Sequence, residues 1–93
     1  MESIAVIKRI EETKAVGNNG FEIRDIVVVT EEQHAQTLQI QFVQGKCPEL
    51  DNFAPNDRVK ITYNIEGREV IKDNKPIVFV KLKGWKIEKL SNV

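Results

Sequence analysis

Cysteine is nearly absent from this 93-residue chain: Cys47 stands alone, so no internal disulfide can hold the fold together. That usage fits a reducing, cytoplasmic setting. No apolar run approaches the roughly 18 residues needed to cross a bilayer. The start M-E-S-I-A-V-I-K-R has no basic stretch ahead of a long apolar one, so no secretion signal is expected. Net charge is missing as well. Fourteen Lys and Arg balance 14 Asp and Glu, for a formal charge of +0. This argues against strong indiscriminate binding to a polyanion, which is driven by counterion release. Aromatic residues are few, at 6%.

Catalytic and metal-binding patterns are also lacking. His34 sits alone in an acidic stretch, with no serine or cysteine at motif spacing. Glu11–Glu12 and Glu31–Glu32 are adjacent pairs, which point to opposite faces of a strand and cannot clamp a metal together. No Cys/His cluster has zinc spacing. Cys47 reads as a small buried hydrophobe. No enzyme activity, metal or cofactor is expected.

What is present is a period of two. Leu38, Ile40 and Phe42 alternate with Gln39 and Gln41, and Val59, Ile61, Tyr63 and Ile65 alternate with polar residues. Both stretches predict half-buried strands. Three more strands are predicted at Ser3–Thr13, Phe21–Thr30 and Pro76–Leu90. In the first, Lys8 interrupts the apolar set, so a bulge is expected near Ile7. The second contains I-V-V-V, which suits a strand covered on both sides or one that bends. The last slips phase between Leu82 and Trp85, and Gly84 at the slip marks a bulge or barrel corner.

The connections carry turn chemistry. Val16–Gly20 (V-G-N-N-G) is a turn, and Lys72–Pro76 (K-D-N-K-P) closes a hairpin. Between the third and fourth strands, Pro48 suits the first turn of a helix. Leu50 and Phe53 then share one helical face that can plug a barrel end. Ala54–Asp57 (A-P-N-D) reads as a turn with Pro55 at its second position. Three strands, a short helix and two strands is the order of the five-stranded, all-β OB Greek-key barrel. With 41% hydrophobic and 30% charged residues, residues 1–93 are expected to form one such domain.

Four segments carry a family resemblance. They are F-E-I-R-D-I-V-V-V-T-E-E-Q (Phe21–Gln33), I-Q-F-V-Q-G-K-C-P-E-L-D-N-F (Ile40–Phe53), N-I-E-G-R-E (Asn64–Glu69) and G-W-K-I-E-K-L (Gly84–Leu90). Together they resemble the domain of unknown function family 3127, a group of short bacterial single-domain proteins. The resemblance implies an OB barrel and, by fold analogy, single-stranded DNA binding.

OB barrels hold single strands by stacking bases on exposed aromatics in a basic groove, using their second and third strands and the loops after the first and fourth. The candidates at those places are Phe21 and Arg24 on the second strand and Gln39 and Gln41 on the third. Arg68, Lys72 and Lys75 lie in the last hairpin, followed by Phe79 and Lys81. Residues 68–89 hold Arg68, Lys72, Lys75, Lys81, Lys83, Lys86 and Lys89 against Glu69, Asp73 and Glu88, a local cation excess. Phe42 and Tyr63 lie on apolar strand faces and read as core; the direction of Trp85 stays open. Arg68 has two alternatives, a phosphate or the nearby Glu66 and Glu69. The competing class is a protein-interaction or self-assembly module that uses a free strand edge or the I-V-V-V face. The expected partners are therefore single-stranded nucleic acid, or else a second copy or a foreign protein, and no membrane.

Overall fold

The computed structural model describes residues 1–17 and 19–90. Six strands follow in chain order: β1 (Glu2–Ile10), β2 (Lys14–Val16), β3 (Phe21–Thr30), β4 (Thr37–Val43), β5 (Arg58–Lys72) and β6 (Lys75–Lys89). Neighbours run β1-β5-β6-β4-β3-β2, and β1 also pairs with β3. That last pairing closes β1, β3, β4, β6 and β5 into a five-stranded barrel. The ladders are antiparallel except β4–β6, which pair in parallel at Ile40–Leu82 and Gln41–Lys83.

The sixth strand is where the structure departs from the expected five. Glu11 and Glu12 end the first strand, and the Glu11 amide donates to the Asp25 carbonyl at 2.9 Å. The chain then resumes as β2 along the start of β3, with Lys14 opposite Ile23 and Val16 opposite Phe21. The expected stretch Ser3–Thr13 is thus a barrel strand followed by a break. The Val16–Gly20 turn has Gly17 and Gly20 at positive φ, +74° and +66°; Asn18 lies outside the described residues.

Alternation sets the core. Ala5, Ile7, Ile26, Val28, Ile40, Phe42, Val59, Ile61 and Tyr63 point inward and are buried together with Leu50. Burial at this density is the main favourable term for a chain of this length. Ile26, Val27 and Val28 are buried and Val29 is half-buried, so most of the I-V-V-V run is covered.

Two bulges shape the barrel. β1 slips against β3 between Ile7 and Arg9, which leaves Lys8 as the extra residue. The Ala54–Asp57 turn docks onto this end of β1: the Ile7 amide donates to Asp57 O at 2.9 Å and the Asn56 amide to Ile7 O at 2.8 Å. Asn56 has φ +76° at the third position of that turn, as a type II turn requires. The second bulge is on β6, where Thr62 pairs with Lys86 but Tyr63 with Gly84, and Trp85 is the extra residue. Gly84 is needed there for space. A Cβ on it would lie 2.8 Å from Phe42 Cε1, because the Phe42 ring packs on its backbone.

The segment between β4 and β5 is two 3-10 turns, Gln44–Lys46 and Pro48–Asn52, with Pro48 at the start of the second. The tighter helix has three residues per turn, so Leu50 and Phe53 do share a face. Leu50 is fully buried and Phe53 packs against the core. The helix is the expected barrel plug in a shorter form.

Beyond Ile65 and Leu82 the β5–β6 hairpin leaves the barrel as a two-stranded arm. It runs from the Glu66–Lys81 pair to the Lys72–Lys75 pair. Asp73 and Asn74 at its tip both have positive φ, 54° and 63°, as a two-residue I′ turn demands. The arm makes the molecule elongated, 53 × 35 × 18 Å.

Candidate nucleic-acid interface

Because the period is two, the residues between the core positions face outward together. On β3 these are Phe21, Ile23 and Asp25; on β4 they are Gln39 and Gln41. Register extends this face across the barrel. Asp25 lies opposite Gln41, Gln41 beside Lys83, and Lys83 opposite Asn64. One step further along the arm come the pairs Glu66–Lys81 and Arg68–Phe79.

The arm rises from this face and makes one wall of a groove of about 770 Å³. Val16, Phe21 and Ile23 form the opposite wall, Gln41 lies between, and Glu66, Arg68, Phe79, Lys81 and Lys83 line the arm side. A second hollow of about 460 Å³ lies where β4 and β6 diverge. Asp25, Thr37, Gln39 and Gln41 line it on one side, and Val80 and Lys81 on the other. The two share Gln41, Val80 and Lys81, so they form one continuous channel.

Its aromatic groups are accessible: Phe79 is 53% exposed and Phe21 37%. Its cations are unequal. Lys83 Nζ lies 3.5 Å from Glu66 Oε1. Arg68 and Lys81 make no ion pair among the described residues, so Arg68 takes neither of its nearby carboxylates. The carboxylate of Asp25 accepts a 2.8 Å hydrogen bond from Gln39 Nε2.

The channel therefore brings together Phe21, Gln39, Gln41, Arg68, Phe79 and Lys81 of the sequence candidates. Lys72 and Lys75 face each other at the arm tip, outside the channel lining. Arg24 is elsewhere. Its register partner is Phe42, so it points to the plugged end of the barrel. There Nε donates to Glu11 O at 2.8 Å, and Nη1 to Cys47 O at 3.1 Å and Asp51 Oδ1 at 2.7 Å. Its side chain is only 15% exposed, and it ties the β1–β2 break to the helical plug. Trp85 is half exposed at its bulge and lines neither hollow. Sequence reasoning missed Val16, Ile23, Asp25, Glu66 and Lys83. Asp25, at least, was legible as two residues from Ile23 on the face opposite Ile26.

Cys47 is buried, and its thiol donates weakly to Phe42 O. Burial, followed by the charge of Glu22, holds its pKa above the ordinary thiol value, which favours the protonated thiol. Among the described residues, no three of His, Cys, Asp or Glu gather as metal ligands. None of their helices is long and apolar enough to cross a membrane.

A closed five-stranded Greek key with a parallel β4–β6 contact and a helix between β4 and β5 defines an OB-fold protein. Within that class, the chain belongs to the family described as Domain of unknown function (DUF3127), whose model matches residues 2–88. Solved structures agree on the fold. The chain is similar to an SSB of Plasmodium falciparum in complex with ssDNA, with a TM-score of 0.70 and 13% identity, covering 98% of this chain and 93% of that one. It is also similar to the small single-stranded DNA-binding protein from Streptomyces coelicolor, with a TM-score of 0.62 and 8% identity, covering 96% and 91%. At such identities the likeness speaks for the fold alone. No curated protein matches the chain.

Proposed function

We propose that this chain is a small non-enzymatic OB module that binds single-stranded DNA along the channel between the β3–β4 face and the arm. One observation carries the reading. Exposed Phe21 and Phe79 stand on opposite walls of a groove whose arm side holds Arg68, Lys81 and Lys83. Aromatic faces take bases regardless of identity, and the cations follow the phosphates. The two similar structures, named as single-stranded DNA-binding proteins, support it. The lone free cysteine fits a cytoplasmic setting, and the family resemblance implies a bacterial one.

The test is fluorescence anisotropy with a labelled mixed-sequence single strand, at low and then moderate salt, with duplex as control. Three cations on the phosphates imply a slope of log K against log salt of about −2. Binding that favours the single strand with that slope supports the proposal. Salt-independent binding, or none at low salt, overturns it.

A second reading, a self-assembly or protein-interaction module, rests on the arm's other face. Ile65, Ile71 and Val78 continue the inward-facing rows of β5 and β6 to the barrel rim and past it, where they are 54%, 78% and 65% exposed. An isolated two-stranded ribbon is marginal in water, and covering this face would stabilise it.

A further inference from the structure

The channel is electrostatically two-sided. Its arm side carries Arg68 and Lys81, while its floor carries Asp25 with no cation paired to it among the described residues. Glu11 and Glu12 lie beyond Asp25 in a small hollow that also touches Gln39; Lys14 lines it too, so the three carboxylates outweigh one cation there. A phosphate cannot sit over that floor without meeting a carboxylate at close range. Resting on the single-strand reading above, this places the phosphates against Arg68 and Lys81 and turns the bases that lie over the floor toward β3 and β4. Phe79 takes the face of a base at the groove's arm side.

What the bases meet there is chemically selective. An ionised carboxylate only accepts hydrogen bonds. Gln39 Nε2 occupies part of Oδ2 at 2.8 Å and fixes the carboxylate's orientation, leaving Oδ1 for a ligand. Cytosine, adenine and guanine offer amino or amino-imino donors on their Watson–Crick edges. Thymine and uracil place a carbonyl oxygen on each side of their single N–H, and those lone pairs face the carboxylate. We infer that Asp25 is a specificity-determining residue, and that the module prefers amino-bearing bases, cytosine among the pyrimidines, over thymine and uracil.

The comparison that isolates this chemistry is oligo-dC against oligo-dU of equal length, since both lack the methyl group and stack similarly. Anisotropy titrations at neutral pH should show dC bound about three- to tenfold tighter, the range of one partly solvated charge-assisted hydrogen bond. Asp25→Asn keeps the shape and the acceptor for Gln39 but adds a donor that suits uracil O4. It should bring the dC/dU ratio to near unity without weakening dU. A variant that merely loosened the fold would lower both affinities and the melting temperature together. Equal binding of dC and dU by the natural protein, or an unchanged ratio in Asp25→Asn, overturns the inference while leaving single-strand binding intact. Failure of both oligomers to bind at low salt overturns both.

Discussion

Phe79 and Arg24 both sit on strands that OB folds use for ligands or near them, yet one is half exposed and the other almost covered. Phe79 contributes nothing to the core, being half exposed on the arm. Replacing it with alanine should leave the melting temperature unchanged and weaken single-strand binding about tenfold, within the roughly 1–3 kcal/mol that one stacked base is worth. Arg24 should behave in the opposite way. Its guanidinium holds two backbone carbonyls and a carboxylate at the plugged end of the barrel. Arg24→Ala should cost about 2 kcal/mol in urea unfolding, since it strands acceptors that a charged donor had satisfied. Anisotropy should find DNA affinity unchanged. The sequence shows an arginine on the strand that OB folds use for ligands. It does not show that the residue's inward phase, opposite Phe42, sends it under the helix.

Among the elements, β6 combines the barrel's tightest packing point with its most exposed stretch. At the bulge, Gly84→Ala must push the Phe42 ring off the backbone it covers. The expected loss is about 1–3 kcal/mol, the usual cost of overpacking a filled core, measured by chemical denaturation. This site was legible: the apolar phase slips between Leu82 and Trp85, and a glycine sits at the slip. Along the arm the charges should separate by position. Reversing Arg68 and Lys81 together to glutamate should abolish single-strand binding. Reversing Lys72 and Lys75 at the tip should lower affinity only a few-fold, because these residues lie outside the channel lining. Titration of both double variants at one salt concentration compares them directly. Equal losses would mean that the strand runs past the tip instead of through the channel.

For the whole molecule, the arm presents two chemically unlike faces. The channel face is charged and aromatic, whereas the face carrying Ile65, Ile71 and Val78 is apolar apart from Glu69 between them. Sedimentation over rising protein concentration should show reversible association through the second face. Val78→Glu should abolish that association without touching the first. A strictly monomeric mass at high concentration would remove the self-assembly reading.

Local physics determined much of this protein from the sequence alone. The inward rows at 38–42 and 59–63, the positive-φ hairpin tip, the Pro48 helix start and both bulges follow from neighbours within a few residues, where alternation and turn geometry operate. So did the order of strands and helix that defines the OB barrel. The tertiary structure alone decided the rest. Closure depends on β1 meeting β3 and on two parallel pairs between β4 and β6, residues some forty positions apart. The break at Glu11 and Glu12 depends on β3 offering an edge to β2. Whether Arg24 or Asp25 faces the channel depends on which side of β3 the barrel closes around. Phe21 and Phe79 become opposite walls only once the arm folds over the β4 face. Such contacts are long-range, and their chain-closure entropy is repaid only by the whole core at once.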